Sequence, residues 1–107
     1  MTGCMPGFTS AIINCFVDEA MKHVSSLSAE QISEMICHTI KGTTTILLEQ
    51  KINFRELIEK VATKGGITEE GIKVIDAKFP AIAENVLSNT LLKRKITTEK
   101  LEKEFLY

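Results

Sequence analysis

The hydrophobic residues of this chain recur at the three- and four-residue spacing of amphipathic helices. No period-two run bounded by turn residues indicates a strand, and no repeat or low-complexity tract is present. Glycine and proline divide the pattern into five to six segments. The pattern therefore predicts an all-α fold, a bundle of five to six helices.

The first two predicted helices begin at recognisable signals. The first follows Pro6 and Gly7. Its inner face is predicted to consist of five apolar residues: Phe8, Ile12, Phe16, Ala20 and Val24. Ser28 and Gln31 have the spacing of a capping box, in which a hydroxyl and an amide satisfy the backbone groups at a helix start. This second helix is predicted to run to about Glu49.

The remaining helices are marked by capping residues and by one proline. Asn53 is predicted to cap a third helix and Thr68 a fourth. Pro80 suits the first turn of a fifth helix, because proline lacks the N–H that a first turn leaves unpaired. Residues 97–99 are predicted to open a last short helix that ends near Tyr107.

Two of these helices carry more apolar surface than one buried face requires. In the first, apolar residues nearly encircle the helix over residues 11–17. In the second, a wide stripe from Ile32 to Leu47 is extended by Cys37 and Leu48. A chain of this length can hardly enclose two such helices alone, so a symmetric, interlocked homodimer is predicted. A higher oligomer and a monomer with exposed apolar surface stay open as alternatives.

Composition narrows the class of protein. With 107 residues, 44% hydrophobic and 25% charged, the chain is expected to form a single domain over residues 1–107. A net charge of -1 provides no clustered positive field for nucleic acid or for an anionic membrane. No apolar run reaches the ~18 residues of a membrane span, and no targeting signal is recognised. Neither nucleic acid nor a membrane is therefore expected as a partner.

The cysteines argue against both disulfides and metal binding. Cys4, Cys15 and Cys37 are odd in number and show no Cys-x-x-Cys spacing. No metal site is expected, and a reducing, cytoplasmic location fits.

A diglycine segment is the most informative for chemistry. Gly65 and Gly66 lie between two predicted helices, where glycine permits backbone conformations closed to other residues. The unpaired amides that open the next helix can bind an anion such as a carboxylate, and the Thr68 hydroxyl stands beside them. From spacing alone, the favoured interpretation is a helix-ending turn with Thr68 as N-cap, and Glu69 and Glu70 complementing the helix dipole.

Residues 61–68 read Val-Ala-Thr-Lys-Gly-Gly-Ile-Thr. This segment resembles the signature of pyrroline-5-carboxylate reductases, whose core there is commonly Val-Thr-Ser-Pro-Gly-Gly-Thr-Thr. Gly3, Pro6 and Phe8 resemble a degenerate form of the family's entry to its first dimerisation helix, and residues 39–48 resemble its Gly-Ala-Ala-Lys-Leu-Leu helix. The resemblance covers nearly the whole chain and implies the interlocked helical dimerisation domain of that family.

The resemblance also implies an activity for the complete protein. The family reduces 1-pyrroline-5-carboxylate, a small cyclic imino acid, to proline with NADPH or NADH. It binds NADP or NAD on an N-terminal Rossmann domain, and no strand followed by a Gly-x-Gly-x-x-Gly turn is encoded in this chain. The chain alone is therefore expected to be inactive and to bind no cofactor. A non-catalytic helical dimer or scaffold module derived from the same fold is the alternative.

Carried over residue by residue, the resemblance implies a substrate loop. Its predicted residues are Thr63, Lys64, Gly65, Gly66, Ile67 and Thr68. The amides of residues 65–67 would face the substrate carboxylate, and the Thr68 hydroxyl would bind the ring nitrogen, which makes Thr68 the expected catalytic residue. Thr63 would stand in for the family's serine beside the loop. Pro6 would approach the nicotinamide of the cofactor.

The loop also departs from the family's pattern. Lys64 replaces the usual proline, and Ile67 replaces a small residue or threonine. Met5 and Gly7 disturb the entry to the first helix. Some reductase-like paralogues, including a late-competence group, carry the similar loop Lys-Gly-Gly-Val/Ile-Thr, so an altered pocket or another substrate stays open. Lys64 either strengthens anion binding next to the carboxylate site or is a solvated loop lysine.

Overall fold

The computed structural model describes residues 3–105, with side chains described through residue 101. It contains four helices in this part of the chain: α1 Met5–His23, α2 Ala29–Gln50, α3 Phe54–Val61 and α4 Ile67–Phe105. No strand occurs among these residues, so the all-α prediction is confirmed. The helix count is four rather than five to six. Contacts divide the chain into two compact units, Met1–Leu57 and Ile58–Tyr107.

Helix α1 begins earlier than predicted. It starts at Met5, before Pro6 and Gly7, and the Cys4 carbonyl accepts its first backbone hydrogen bond, from the Phe8 N–H at 3.0 Å. A proline fits within the first turn because the N–H that it lacks would be unpaired there. The helix ends at His23, after which the Val24 backbone is extended.

Helix α2 begins at the predicted capping box. The Ser28 hydroxyl accepts from the Gln31 N–H at 3.1 Å, and the Gln31 side-chain oxygen accepts from the Ser28 N–H at 2.9 Å. Two end groups of the helix are thereby satisfied by one reciprocal pair. The helix ends at Gln50, one residue beyond the predicted Glu49, and Lys51 follows in the left-handed conformation with φ 53°.

Helices α1 and α2 pack on each other within the first unit. Each contributes one buried side chain, Val17 from α1 and Ile32 from α2, and these two are the buried residues of the described chain. Further side chains on the same two faces are half-buried: Ile13, Ala20, Val24, Ile36, Ile40 and Leu47. The buried face of α1 therefore follows Ile13 and Val17, and the predicted inner residues Ile12 and Phe16 are exposed. The reason is that apolar residues encircle this helix, so periodicity alone does not select the face that meets α2.

Both α1 and α2 carry further apolar side chains that are exposed in a single copy. Phe16 on α1 is 56% exposed, and Leu48 on α2 is 77% exposed. Ile12, Met35 and Ile46 are exposed as well. Exposed apolar surface of this extent is unusual in a monomer. It is therefore expected to be covered by another protein surface, in addition to the contact that α1 and α2 make with each other.

Helix α2 also carries a run of threonines whose hydroxyls return to its own backbone. They donate to the carbonyls four residues earlier, at distances between 2.7 and 2.9 Å, and belong to Thr39, Thr43, Thr44 and Thr45. Because each hydroxyl has an acceptor within the helix, none of these side chains requires a further partner for its proton.

Helix α3 begins at the predicted cap. The Asn53 side-chain oxygen accepts from the Glu56 N–H at 2.8 Å, and its side-chain nitrogen donates to the Glu56 carboxylate at 2.9 Å. The helix spans eight residues and ends at Val61, where the Ala62 N–H donates to the Ile58 carbonyl at 2.8 Å.

Helix α4 replaces three predicted helices. It runs for 39 residues from Ile67, with Pro80 inside it rather than at a new start and with residues 97–99 in its interior. Proline removes one backbone hydrogen bond from a helix, but no glycine or further proline follows it to end the helix. The apolar positions Ile75, Phe79, Ile82 and Val86 keep one register across the proline. A continuous apolar face therefore favours continuation over a break.

That face of α4 is also open in this chain. Its residues Ile75, Phe79, Ile82 and Val86 are exposed, and Leu87 and Leu91 are exposed elsewhere on the same helix. Within the described part of the chain, no helix combines the length and the apolar character needed to cross a lipid bilayer.

We predict that Ser28→Ala lowers the free energy of unfolding by about 1 kcal/mol, because the Gln31 N–H loses its acceptor at the start of α2. The melting temperature should fall by about 4–8 °C for a chain of this size. Thermal denaturation followed by circular dichroism measures the change. Ser26→Ala, in the segment before α2, is the matched control and should leave the melting temperature unchanged; equal effects of the two substitutions would refute a capping role.

Candidate functional site

The segment between α3 and α4 forms a tight turn. The Gly66 N–H donates to the Thr63 carbonyl at 2.8 Å, which closes the turn over residues 63–66. Gly65 has φ 77°, in the left-handed region where a side chain is strained. A Cβ added to Gly66 would lie 2.9 Å from the Thr63 carbonyl oxygen. Both glycines are therefore required by the backbone of this turn.

Thr68 lies inside α4 rather than at its cap. The helix begins at Ile67, and the Gly66 carbonyl accepts from the Glu70 N–H at 3.4 Å. Gly66 thus occupies the capping position, and the prediction of Thr68 as N-cap is wrong. Sequence spacing favoured threonine because glycine caps less often, but the turn places the glycine carbonyl at the start of the helix.

Ile67 and Thr68 present free groups at the opening of α4. Among the described residues, neither their backbone amides nor the Thr68 hydroxyl has a hydrogen-bond partner. Thr68 is exposed, and the Ile67 side chain is 94% exposed. First-turn amides at the positive end of a helix dipole attract an anion.

Glu69 makes a contact that sequence reasoning missed. Its Oε2 accepts from the Gly65 N–H at 3.0 Å, and its Oε1 lies 3.7 Å from the Lys73 ammonium. The same ammonium donates to the neighbouring Glu70 carboxylate at 3.2 Å. The sequence shows that Glu69 lies in the first turn of the helix, where any acidic residue is favoured by the helix dipole. It does not show the specific hydrogen bond between Glu69 and the Gly65 amide.

The six expected loop residues form the turn and the start of α4, but their backbone amides are not equally free to bind a ligand. The Gly65 amide is held by Glu69, and the Gly66 amide by the Thr63 carbonyl. The Ile67 amide has no partner in the described chain. Thr63 and Lys64 are both exposed at the turn. The arrangement can bind and orient an anion, and it contains no nucleophile paired with a base.

Pro6, the expected cofactor contact, lies in the other compact unit. It is exposed in the first turn of α1, and its carbonyl accepts from the Ser10 hydroxyl at 2.7 Å. The first turn of α1 contains no acidic residue, and the free cysteine Cys4 precedes it at the N-cap position.

One exposed ion pair perturbs titration on α1. Lys22 donates to Glu19 at 2.8 Å, and this hydrogen bond, with the attraction of the ammonium, lowers the pKa of Glu19 and raises the pKa of Lys22. The pair joins residues three apart on a solvated face and is typical of helix surfaces. Across the described residues, no group of three or more His, Cys, Asp and Glu side chains is arranged to hold a metal ion.

Comparison with known proteins gives a family and several relatives. Residues 1–96 match the family described as pyrroline-5-carboxylate reductase dimerisation. The chain is 39% identical over 104 residues to pyrroline-5-carboxylate reductase 3 of Bacillus subtilis, and 40% identical over 78 residues to a pyrroline-5-carboxylate reductase of Methanobrevibacter smithii. It is also 30% identical over 105 residues to ComE operon protein 4 of Bacillus subtilis. No solved structure was found to match it.

These relatives are considerably longer than the chain. The matches cover 97%, 73% and 98% of the chain, but 38%, 30% and 38% of the respective relatives. The chain therefore spans about a third of the length of the curated relatives that it matches.

We predict that alanine destabilises the protein at both glycines of the turn. Gly65→Ala should lower the free energy of unfolding by about 1–2 kcal/mol, because φ 77° strains a side chain. Gly66→Ala should also be destabilising, because its Cβ would meet the Thr63 carbonyl at 2.9 Å. Urea denaturation measures both effects.

Gly71→Ala is the matched control for the two loop substitutions. Gly71 lies within α4 with no atom within 4 Å of an added Cβ, so alanine should stabilise the helix by up to about 1 kcal/mol. Loss of stability of equal size at all three glycines would show that the turn geometry is not the cause.

Proposed function

The chain belongs to the pyrroline-5-carboxylate reductase dimerisation family, and on that premise we propose that it is the dimerisation and substrate-binding domain of an NAD(P)H-dependent reductase of a small cyclic imino acid. The proposed substrate is 1-pyrroline-5-carboxylate, and the proposed product is proline. The observation that carries the proposal is the diglycine turn, which leaves the Ile67 and Thr68 amides and the Thr68 hydroxyl free at the start of α4.

The turn has the chemistry needed to hold the substrate's carboxylate. The free Ile67 amide, the Gly65 amide once Glu69 releases it and the positive end of α4 favour a negative charge. Lys64 adds a mobile ammonium beside them. The Thr68 hydroxyl lies one residue further on, where it would donate to or accept from the ring nitrogen of the imino acid. Thr63 would border the ring on the other side of the turn.

The role of these groups is to orient the substrate rather than to react with it. In the proposed reaction, the imine carbon receives hydride and the ring nitrogen receives a proton, which gives the secondary amine of proline. The chemistry of hydride transfer is supplied by the nicotinamide cofactor when it is bound. A loop of amides and one hydroxyl suffices for the protein's share, because alignment of the reacting atoms contributes much of the rate.

The described residues contain no strand, whereas a dinucleotide site of the Rossmann type is built from a strand, a glycine-rich turn and a helix. In the complete protein a separate Rossmann domain would bind NADP or NAD, and Pro6 would approach its nicotinamide. The domain alone is accordingly proposed to be inactive.

A homodimer explains the uncovered apolar faces of the helices. Exposed apolar side chains occur on α1 and α2 in the first unit and on α4 in the second, and each set could contribute to a largely hydrophobic interface. A symmetric pairing would cover the same face on both copies at once. We place this dimer in the reducing cytoplasm, since Cys15 and Cys37 are exposed and unpaired.

The alternative function is a non-catalytic helical dimer. One observation favours it: ComE operon protein 4, a relative whose name states no reaction, is aligned over 98% of the chain. Reduction of 1-pyrroline-5-carboxylate by the complete gene product, followed as loss of NADPH absorbance, separates the two. Absence of both turnover and proline binding would support the scaffold.

We predict that Thr68→Val in the complete gene product lowers kcat by about 10- to 100-fold, because the ring nitrogen loses its hydroxyl partner. Valine preserves the shape of threonine, so the dimer should remain intact. Thr97→Val, an exposed threonine of the same helix, is the control and should keep normal turnover. An unchanged kcat for Thr68→Val rejects its catalytic role.

We also predict that Phe16→Ser weakens the dimer at least about tenfold, since the partner subunit would cover this side chain. Sedimentation equilibrium measures the dissociation constant. Asn14→Ser, on the same helix, is the control for a polar, exposed position. Equal dissociation constants for Phe16→Ser and the unsubstituted chain would place the interface elsewhere.

A further inference from the structure

We propose that Glu69 determines how strongly the loop binds carboxylates, by occupying the Gly65 amide until a ligand carboxylate displaces it. The inference rests on the proposed function, in which the same amide receives the carboxylate of the imino acid. Glu69 would thus be a specificity-determining residue that competes with the substrate, rather than a group that assists it.

The geometry shows the competing contact directly. The Glu69 carboxylate accepts from the Gly65 N–H at 3.0 Å, a normal distance for an N–H donor and a charged acceptor. An amide N–H has one proton, so a ligand oxygen and Glu69 cannot both hold it in a full-strength bond. The glutamate side chain is 30% exposed, which leaves it open to exchange with a ligand from solvent.

The structure also provides a place for the displaced carboxylate. Lys73 lies one turn further along α4, with its ammonium 3.7 Å from Glu69 Oε1 and 3.2 Å from Glu70 Oε1. When Glu69 leaves the Gly65 amide, it can move towards this ammonium and keep a charged partner. Because the Glu69 carboxylate can exchange the Gly65 amide for the Lys73 ammonium, a substrate carboxylate can replace it at the loop.

Electrostatics adds to the competition. A ligand carboxylate bound at the Ile67 amide would lie near the Glu69 carboxylate, and two like charges at short range repel. Displacement of Glu69 therefore relieves repulsion and releases the Gly65 amide in one movement. The apparent affinity for a carboxylate equals the intrinsic affinity multiplied by the fraction of molecules in which Glu69 is already displaced.

The test compares glutamate variants in the complete gene product. Glu69→Ala removes the competing carboxylate, and the KM for 1-pyrroline-5-carboxylate should fall by about three- to tenfold. Glu70→Gln is the matched control: it removes one negative charge at the adjacent position and the ion pair of Glu70 with Lys73, but it leaves the contact of Glu69 with Gly65 in place. Its KM should change by less than that of Glu69→Ala.

A second substrate separates competition from loop support. 1-Pyrroline is the same cyclic imine without the carboxylate, so its KM should be equal in Glu69→Ala and in the unsubstituted protein. If Glu69 merely stabilises the turn, its removal should instead raise the KM for both imines. That result, or an unchanged KM for 1-pyrroline-5-carboxylate, overturns the inference.

Glu69→Gln keeps the test usable if the alanine variant fails to fold. Its amide oxygen can still accept from Gly65 but carries no charge, so a smaller fall in KM is expected. Inactivity of the unsubstituted protein towards 1-pyrroline-5-carboxylate removes the proposed function, and the inference with it. Activity together with an unaltered KM in both Glu69 variants removes the inference alone.

Discussion

Burial of apolar helix surface is the constraint on which this structure depends. Within the described chain only Val17 and Ile32 are buried, and both lie where α1 meets α2. The hydrophobic effect acts on area removed from water, and many large apolar side chains of these helices are exposed in a single copy. In the proposed homodimer a second subunit would cover such side chains. Folding and association would then be linked, as they are in obligate homodimers.

The same dependence shapes the candidate site. The turn before α4 is built from local interactions alone: a hydrogen bond from Gly66 to Thr63, the left-handed Gly65 and the contact from Glu69. A loop with so few internal contacts can position amides and one hydroxyl but cannot enclose a small molecule. In the proposed function, the walls of the pocket come from the partner subunit and from the cofactor domain.

Local signals predicted the parts of the fold that depend on neighbouring residues. The capping box at Ser28 and the cap at Asn53 were predicted correctly because each involves groups three residues apart. The continuity of α4 is not a local signal: proline usually marks a helix boundary, whereas the apolar register on both sides of Pro80 favours one helix. The sequence also does not identify which face of α1 meets α2, since apolar residues surround that helix.

The candidate site was predicted to a similar extent. The sequence grouped residues 63–68 as one candidate substrate loop, and their role in binding stays a prediction. The position of Thr68 within the helix and the bond from Glu69 to Gly65 depend on backbone angles that spacing does not specify. Glu69 and Glu70 carry the same charge and are the third and fourth residues of α4, and the geometry of the turn decides that Glu69 is the one that binds Gly65.

The threonines of α2 have a consequence for what this helix can contact. Hydroxyls that donate to carbonyls of their own helix leave the γ-methyl groups as the outer surface at these positions. Thr39 and Thr43 can therefore pack against an apolar surface, much as valine would, without leaving a buried hydroxyl that lacks a hydrogen-bond acceptor. The surface of α2 at these positions is therefore less polar than its amino-acid composition suggests. The hydroxyl groups can still contact water when the surface is exposed.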